Sequence, residues 1–192
     1  MAVAEWTTPL SPRQHPAYLG TVCFIISEAF LFLALFWTYF YLRNLNAGHW
    51  PPDDVHLDLP LITLNTVLLL ASSVILQRAI KAGEHARTKA FHTGLAVTLA
   101  LGTAFLLIKG WEWAHASFGP ASHAYGAIYF TLTGFHGAHV LGGLLLLAVL
   151  LWRALQGKLE ARHSVSLAAA GLYWHFVDVI WLLVYLSIFI VR

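Results

Sequence analysis

Five apolar runs, each long enough to cross a bilayer, decide what this chain can fold into. They lie at roughly 17–43, 57–80, 90–115, 124–153 and 166–191. A hydrocarbon core of about 30 Å needs about 20 helical residues, and each run meets that length. None shows the apolar–polar alternation of a barrel strand, so helices are the only spanning structure they can form. Composition agrees. Of 192 residues, 59% are hydrophobic and 10% charged, whereas a soluble domain needs about 25% charged residues to cover its surface. The predicted fold is all-α: an integral membrane bundle of five transmembrane helices at 17–192, preceded by a polar segment at 1–16.

The first run follows the leader MAVAEWTTPLSPRQHP, which carries Glu5 and three prolines. That is not the basic n-region of a signal peptide. The run ends in the aromatic cluster Phe36, Trp37, Tyr39, Phe40 and Tyr41 and is read as a retained helix. A net charge of +2, with the basic residues in connections, does not fit nucleic-acid binding. One cysteine, Cys23, precludes an internal disulfide framework.

Lys and Arg are unevenly placed. One side of the predicted bundle holds Arg13, Arg78, Lys81, Arg87, Lys89, Arg153, Lys158 and Arg162. The other holds Arg43, Arg192 and, near a helix end, Lys109. The positive-inside rule puts the first side, with the N-terminus, in the cytoplasm. The loop with Asp53, Asp54 and Asp58 then faces out, and Trp50, Pro51 and Pro52 predict an ordered turn there.

Polar residues inside the spans are costly and call for a role. Glu28 lies near the middle of the first run in ISEAFLF. Burial disfavours its charged form, so it is expected to be protonated at neutral pH, either handling protons or coupling helices. His136 and His139 sit in GFHGAHVLGG on the fourth run. Gly134, Ala138 and Gly142 there form a small-residue stripe of the kind that lets helix backbones approach closely. Haem or metal ligation by the imidazoles, with His175, is the sharp alternative. No second histidine pair and no Cys/Asp/Glu cluster accompanies them, so structural hydrogen bonding is preferred.

On the fifth run, His175 and Asp178 are i, i+3 neighbours and predict a pair on one helix face. That pair reads as packing before it reads as a proton relay. Trp174, Asp178, Trp181 and Tyr185 make a stripe against another helix. Lys109, Trp111, Glu112 and Trp113, in KGWEW, read as interfacial anchors with Lys109 snorkelling outward. Asn65, Thr66, Ser72 and Ser73 read as interhelical hydrogen-bonding groups.

At this point the motifs match a family. YWHFVDVIWLLVYLSIF at 173–189 resembles the terminal signature of subunit III of the haem–copper oxidases, and TLTGFHGAHVLGG at 131–143 its penultimate helix. ISEAFLF resembles the glutamate-bearing helix, LNTVLLLASS the next, and GWEW the aromatic–Glu–aromatic motif. The matches run in family order from about Tyr18 to Arg192. The long form of that family has seven helices, and this chain resembles the last five, as in short bacterial forms. Quinol-oxidase subunits and a nitric-oxide-reductase-linked homologue are related. The glutamate in ISEAFLF, and the WPPDD loop with the YWHFVDVIW ending, favour the cytochrome c oxidase branch.

The resemblance implies a non-catalytic subunit of a proton-pumping oxidase in the bacterial cytoplasmic membrane. It implies partners in subunits I and II, the wider setting of a respiratory supercomplex, and bound phospholipid. It places haem and copper in the partner subunits and no redox cofactor or metal in this chain. Glu28, His136, His139, His175 and Asp178 would be buried proton-network or packing residues, not catalysts. Trp174, Trp181 and Asn65 would join the small-residue stripe in the helix interfaces. Two other classes stay open on the residues alone: a membrane cytochrome b with histidine-ligated haem, and a small transporter, although inverted repeats and broken helices are not evident.

Overall fold

The computed structural model describes residues 14–159 and 164–191. The start of the polar N-terminal segment, with Arg13, lies outside the described residues, as do Arg162 and Arg192 of the charge pattern. Five long helices account for the described chain, and no strand occurs among the described residues: α1 (Pro16–Leu45), α2 (Leu59–Glu84), α3 (Thr88–Ala114), α4 (Ala124–Leu155) and α5 (Val165–Tyr185). A π-helical turn at Leu186–Ile190 continues α5. All five are long and apolar enough to cross a membrane, α5 together with its π-helical turn.

The helix ends have local causes. Asp58 Oδ1 accepts from the Leu61 amide at 3.1 Å and starts α2, with Pro60 in the first turn, where its missing N–H is no loss. His123 Nδ1 accepts from the Gly126 amide at 2.8 Å and starts α4. Ser164 Oγ does the same for α5 at Leu167. Two helices stop in the same way. The Arg87 and Ala86 amides bond back to Ala82 and Gly83, and the Lys158 and Gly157 amides bond back to Arg153 and Ala154. Each stop needs a residue at positive φ: Gly157 at 68° and Ala86 at 57°. The connection from α2 to α3 is therefore only residues 85–87. The basic stretch Lys81 to Lys89, expected as a loop, is mostly the last turn of α2 and the first of α3.

Packing follows side-chain size. α2 and α3 form the tightest hairpin. At Gly94 a Cβ would fall 2.5 Å from the Ala79 Cβ, so only glycine allows this approach. α5 lies against α1, α2 and α4, and α4 also meets α1 and α3. α1 fully buries only Phe32 and Tyr39, with Leu31, Leu35, Phe36 and Leu42 partly buried against the core. Tyr39 Oη donates to the Ser187 carbonyl in the π-helical turn at 2.9 Å. Trp50 packs edge-on between Tyr39 and Tyr125, which fixes the predicted outer turn against the bundle.

Candidate functional site

The polar side chains within the spans fall into three groups, each joining particular helices. The first joins α1 to α4. Glu28 Oε2 lies 2.9 Å from His139 Nε2. His139 Nδ1 lies 2.7 Å from the Phe135 carbonyl one turn back. A carbonyl only accepts, so Nδ1 carries a hydrogen. In a neutral imidazole Nε2 would then be an acceptor, facing a carboxylate that is also an acceptor. The contact therefore contains one proton, on Glu28 or on His139, and the pair is neutral overall. Phe32 stacks edge-on against His139 at 5.0 Å, and Tyr173 Oη donates to the His139 carbonyl at 3.1 Å. The partner of Glu28 is thus on another span, out of reach of any reading confined to its own helix.

The second group runs along α5 and ties it to α2, α3 and α4. Trp174 Nε1–H donates to Ser72 Oγ at 3.1 Å, and Trp181 Nε1–H donates to Thr66 Oγ1 at 2.9 Å. Asn65 Nδ2 donates to the Phe105 carbonyl of α3 at 3.2 Å. Trp181 meets Phe105 edge-on, with ring centres 4.8 Å apart, and lies 4.9 Å from the His136 ring. His136 is 1% exposed and neither ring nitrogen has a hydrogen-bond partner among the described residues. The expected interhelical hydrogen bond of His136 is not made. The residue sits in an aromatic slot, held by the faces and edges of Phe105 and Trp181.

At one end of this group Lys109 corrects its reading as an anchor. It does not snorkel and is 4% exposed. Its ammonium bonds both Glu112 oxygens, at 2.9 and 3.1 Å, and Tyr129 Oη at 3.2 Å. The rings of Tyr129, Trp181 and Phe189 each stand 5.2 Å from Nζ. Tyr129 also donates a short hydrogen bond to Glu112 Oε1. Lys109 stays inside because Glu112, one turn on, faces the same side and the rings close over it. Trp111 is exposed and stacks on His115, as a headgroup-level aromatic would. Trp113 instead turns onto Gly134 and Phe130.

The third group lies between α2 and α5. His175 Nδ1 is 2.6 Å from Ser73 Oγ, and His175 Nε2 is 3.1 Å from Gln77 Oε1. The expected His175–Asp178 pair does not form. Helical side chains lean toward the helix N-terminus, so the long imidazole reaches away from Asp178 and across to α2. Asp178 is 4% exposed, and neither carboxyl oxygen has a hydrogen-bond partner among the described residues.

The small-residue stripe is corrected as well. Ala138 and Gly142 are exposed. Gly134 and Gly142 face the Trp113 ring and the Tyr173 hydroxyl, not a helix backbone. The close approaches on α4 are at Gly126, against the Gly119 carbonyl, and at Gly143, against Trp174. The sequence does not single out Tyr129, Gln77, Phe105 and Gly102, whereas it places Gly143 with His136 and His139 on a second packed face of the fourth run. The other four each make their contact across helices, where no spacing rule reaches. His139 and His175 direct both ring nitrogens to protein partners, and among the described residues no group of three or more His, Cys, Asp or Glu could hold a metal ion.

Two comparisons bear on this bundle. Residues 12–191 match the family model described as Cytochrome c oxidase subunit III. Relatives named cytochrome c oxidase subunit 3 include those of Podospora anserina (39% identical over 179 residues), Dugong dugon (40% over 179) and Rhizopus stolonifer (38% over 179). The aligned regions cover 88–89% of this chain and 66%, 67% and 63% of those relatives in turn, so the chain spans about two thirds of their length.

Proposed function

Because the chain belongs to the cytochrome c oxidase subunit III family, we propose that it serves a proton-pumping oxidase as an accessory subunit that sustains proton uptake without performing the redox chemistry. Haem and copper reside, in this reading, in subunits I and II, with cytochrome c as donor, and the setting is a bacterial cytoplasmic membrane. Residues 17–192 are the transmembrane domain, with phospholipid filling the grooves between its helices. The observation that carries the reading is the Glu28–His139 pair. It holds one proton inside the membrane-spanning bundle, between α1, the helix most open to its surroundings, and α4. A group of that kind can store a proton or pass one on without any redox change of its own.

The test separates the proton from the packing. Glu28→Gln keeps a donor for His139 Nε2 but has no exchangeable acid proton. The assembled oxidase carrying it is expected to retain this subunit and to inactivate after several-fold fewer turnovers, measured as oxygen consumption through prolonged catalysis. Glu28→Ala also leaves His139 half unpaired, at roughly 1–3 kcal/mol, and is expected to loosen α1. If Glu28→Gln is as durable as wild type, the pair serves packing alone. If activity is lost from the first turnover with all subunits bound, the residue belongs to the chemistry.

Orientation gives a second expected result. On the Lys/Arg bias, we propose that the N-terminus and the loops at 78–89 and 153–163 are cytoplasmic. Alkaline phosphatase fused after residue 50 should be active, and the same enzyme fused after residue 85 should not. The reverse pattern would invert the topology.

A further inference from the structure

Two connections meet over the start of α4. Asp54, in the connection from α1 to α2, accepts at its backbone carbonyl from Ser117 Oγ at 2.6 Å. Ser117 belongs to the connection from α3 to α4, whose Gly119 carbonyl lies so close to Gly126 that a Cβ there would strike it. His123 stands at this junction, with the ring centres of Phe118 and Tyr125 at 5.4 and 6.1 Å. Its Nδ1 accepts from the Gly126 amide at 2.8 Å and so caps α4. Its Nε2 lies 3.5 Å from Asp54 Oδ2, within reach for charge pairing but longer than an ordinary hydrogen bond.

The two ring nitrogens answer a proton in opposite ways. An amide N–H only donates, so Nδ1 caps α4 only while it carries no hydrogen. The hydrogen of the neutral ring is then on Nε2, facing Asp54. A second proton has one place to go, which is Nδ1. It turns the acceptor of the cap into a donor, sets N–H against N–H, and puts a positive charge at the helix end whose own partial charge is positive. The same charge is attracted by the Asp54 carboxylate, which is more than half exposed. The neutral ring is therefore held by α4, and the charged ring by Asp54. Asp54 from the first connection and Tyr125 from α4 are the titratable groups set against this ring. Phe118, from the second connection, is apolar, and His115 in that connection packs on Trp111 instead.

We propose that His123 is a pH-sensitive latch. Neutral, it caps α4; protonated, it releases the cap and pairs with Asp54, so acid on this face loosens the first turn of α4 and draws the α1–α2 connection toward the ring. What that turn carries sets the consequence. Tyr125 packs on Trp50 of the α1–α2 connection, and Tyr129, one turn on, donates to Glu112. The latch rests on the oxidase-subunit reading and its orientation for its purpose, not for its chemistry: on that reading this is the outer face, where a proton pump delivers its protons.

Hydrogen–deuterium exchange of the intact, detergent-solubilised oxidase, read by mass spectrometry, tests this. Exchange is followed at about pH 5.5 and about pH 8, the range in which histidine changes charge, with labelling times scaled to the intrinsic rate at each pH. Peptides over the start of α4 should lose protection several-fold on acidification. His123→Asn supplies a cap that does not titrate, so its protection should be the same at both pH values. His123→Ala, without a cap, should be poorly protected at both. Asp54→Asn leaves the cap and removes the charge that favours protonation, so the loss should move to lower pH; this variant keeps the test open should His123→Asn fail to assemble. The start of α2 lies on the same face under the Asp58 carboxylate and not under an imidazole, and serves as the internal control. Equal protection of the wild type at both pH values, an acid loss retained in His123→Asn, an unmoved loss in Asp54→Asn, or an equal loss at the start of α2 would each overturn the latch. Co-purification with a haem-bearing subunit, recorded in the same preparation, tests the oxidase reading separately.

Discussion

Glu112→Ala is expected to lower the stability of the bundle by about 3–5 kcal/mol, the loss typical of a buried ion pair broken on one side. The size follows from what is left behind. Lys109 is 4% exposed, and the rings of Tyr129, Trp181 and Phe189 stand around its ammonium. Removing Glu112 strips it of two charge-assisted bonds and leaves only the Tyr129 oxygen. The three rings attract the cation, but they do not neutralise it. Tyr129 loses its own acceptor in the same step.

The damage should propagate along the chain. The cluster fastens α3 to α4 and to the π-helical turn that carries Phe189, so that turn should loosen first. Replacing the whole cluster with apolar groups, Lys109→Met with Glu112→Leu and Tyr129→Phe, removes the charge together with its partners. That triple variant is expected to recover to within about 2 kcal/mol of wild type, because a buried ion pair rarely outperforms a well-packed apolar set of the same volume. Thermal unfolding of the detergent-solubilised oxidase, followed through retention of this subunit, gives the measurement. Equal losses in the single and triple variants would mean that shape, not charge, holds this end of the bundle. A negligible loss in Glu112→Ala would mean that Lys109 reaches water after all.

The sequence carries the spans well and the partners poorly. Each of the five apolar runs overlaps one long helix, the fifth only together with the π-helical turn, because lipid sets both the length and the apolar content of a spanning segment. The ends were less legible. His15 and His123 act as N-caps, although histidine is not among the residues preferred there. Ala86 ends α2 in a conformation that favours glycine.

Inside the membrane, a pattern on one helix says which residues share a face but not what the face meets. His175 and Asp178 share a face, yet the imidazole crosses to Ser73 and Gln77. Lys109 and Glu112 do pair, as their spacing allows, but the aromatic lid that turns them inward comes from α4, α5 and the π-helical turn. Glu28 finds its partner 111 positions away. What a single sequence supplies at these depths is that a polar residue needs a partner. Which residue supplies it is settled by the helix arrangement.

Gly143→Val is expected to prevent α5 from docking in its native position. Trp174 is fully buried and gripped from two sides. On the α4 side, a Cβ at Gly143 would fall 2.8 Å from Trp174 Cε3; on the α3 side, a Cβ at Gly102 would fall 2.8 Å from Cη2. The indole cannot shift away from one helix without striking the other. It cannot rotate either without losing the bond from Nε1 to Ser72 on α2. Even Gly143→Ala should cost about 1–3 kcal/mol, the usual range for overpacking a dense core, and valine adds two further methyl groups in the same space.

The expected rescue identifies the cause. Trp174→Leu removes the ring that meets the new side chain, so combined with Gly143→Ala it should recover part of the loss. Alone it should destabilise, by opening a cavity and leaving Ser72 without its donor. A double-mutant cycle on subunit retention measures this coupling, and a favourable interaction of 1 kcal/mol or more is the expected sign and size for residues in direct contact. If the two effects simply add, the glycine is required for some reason other than the indole that lies against it.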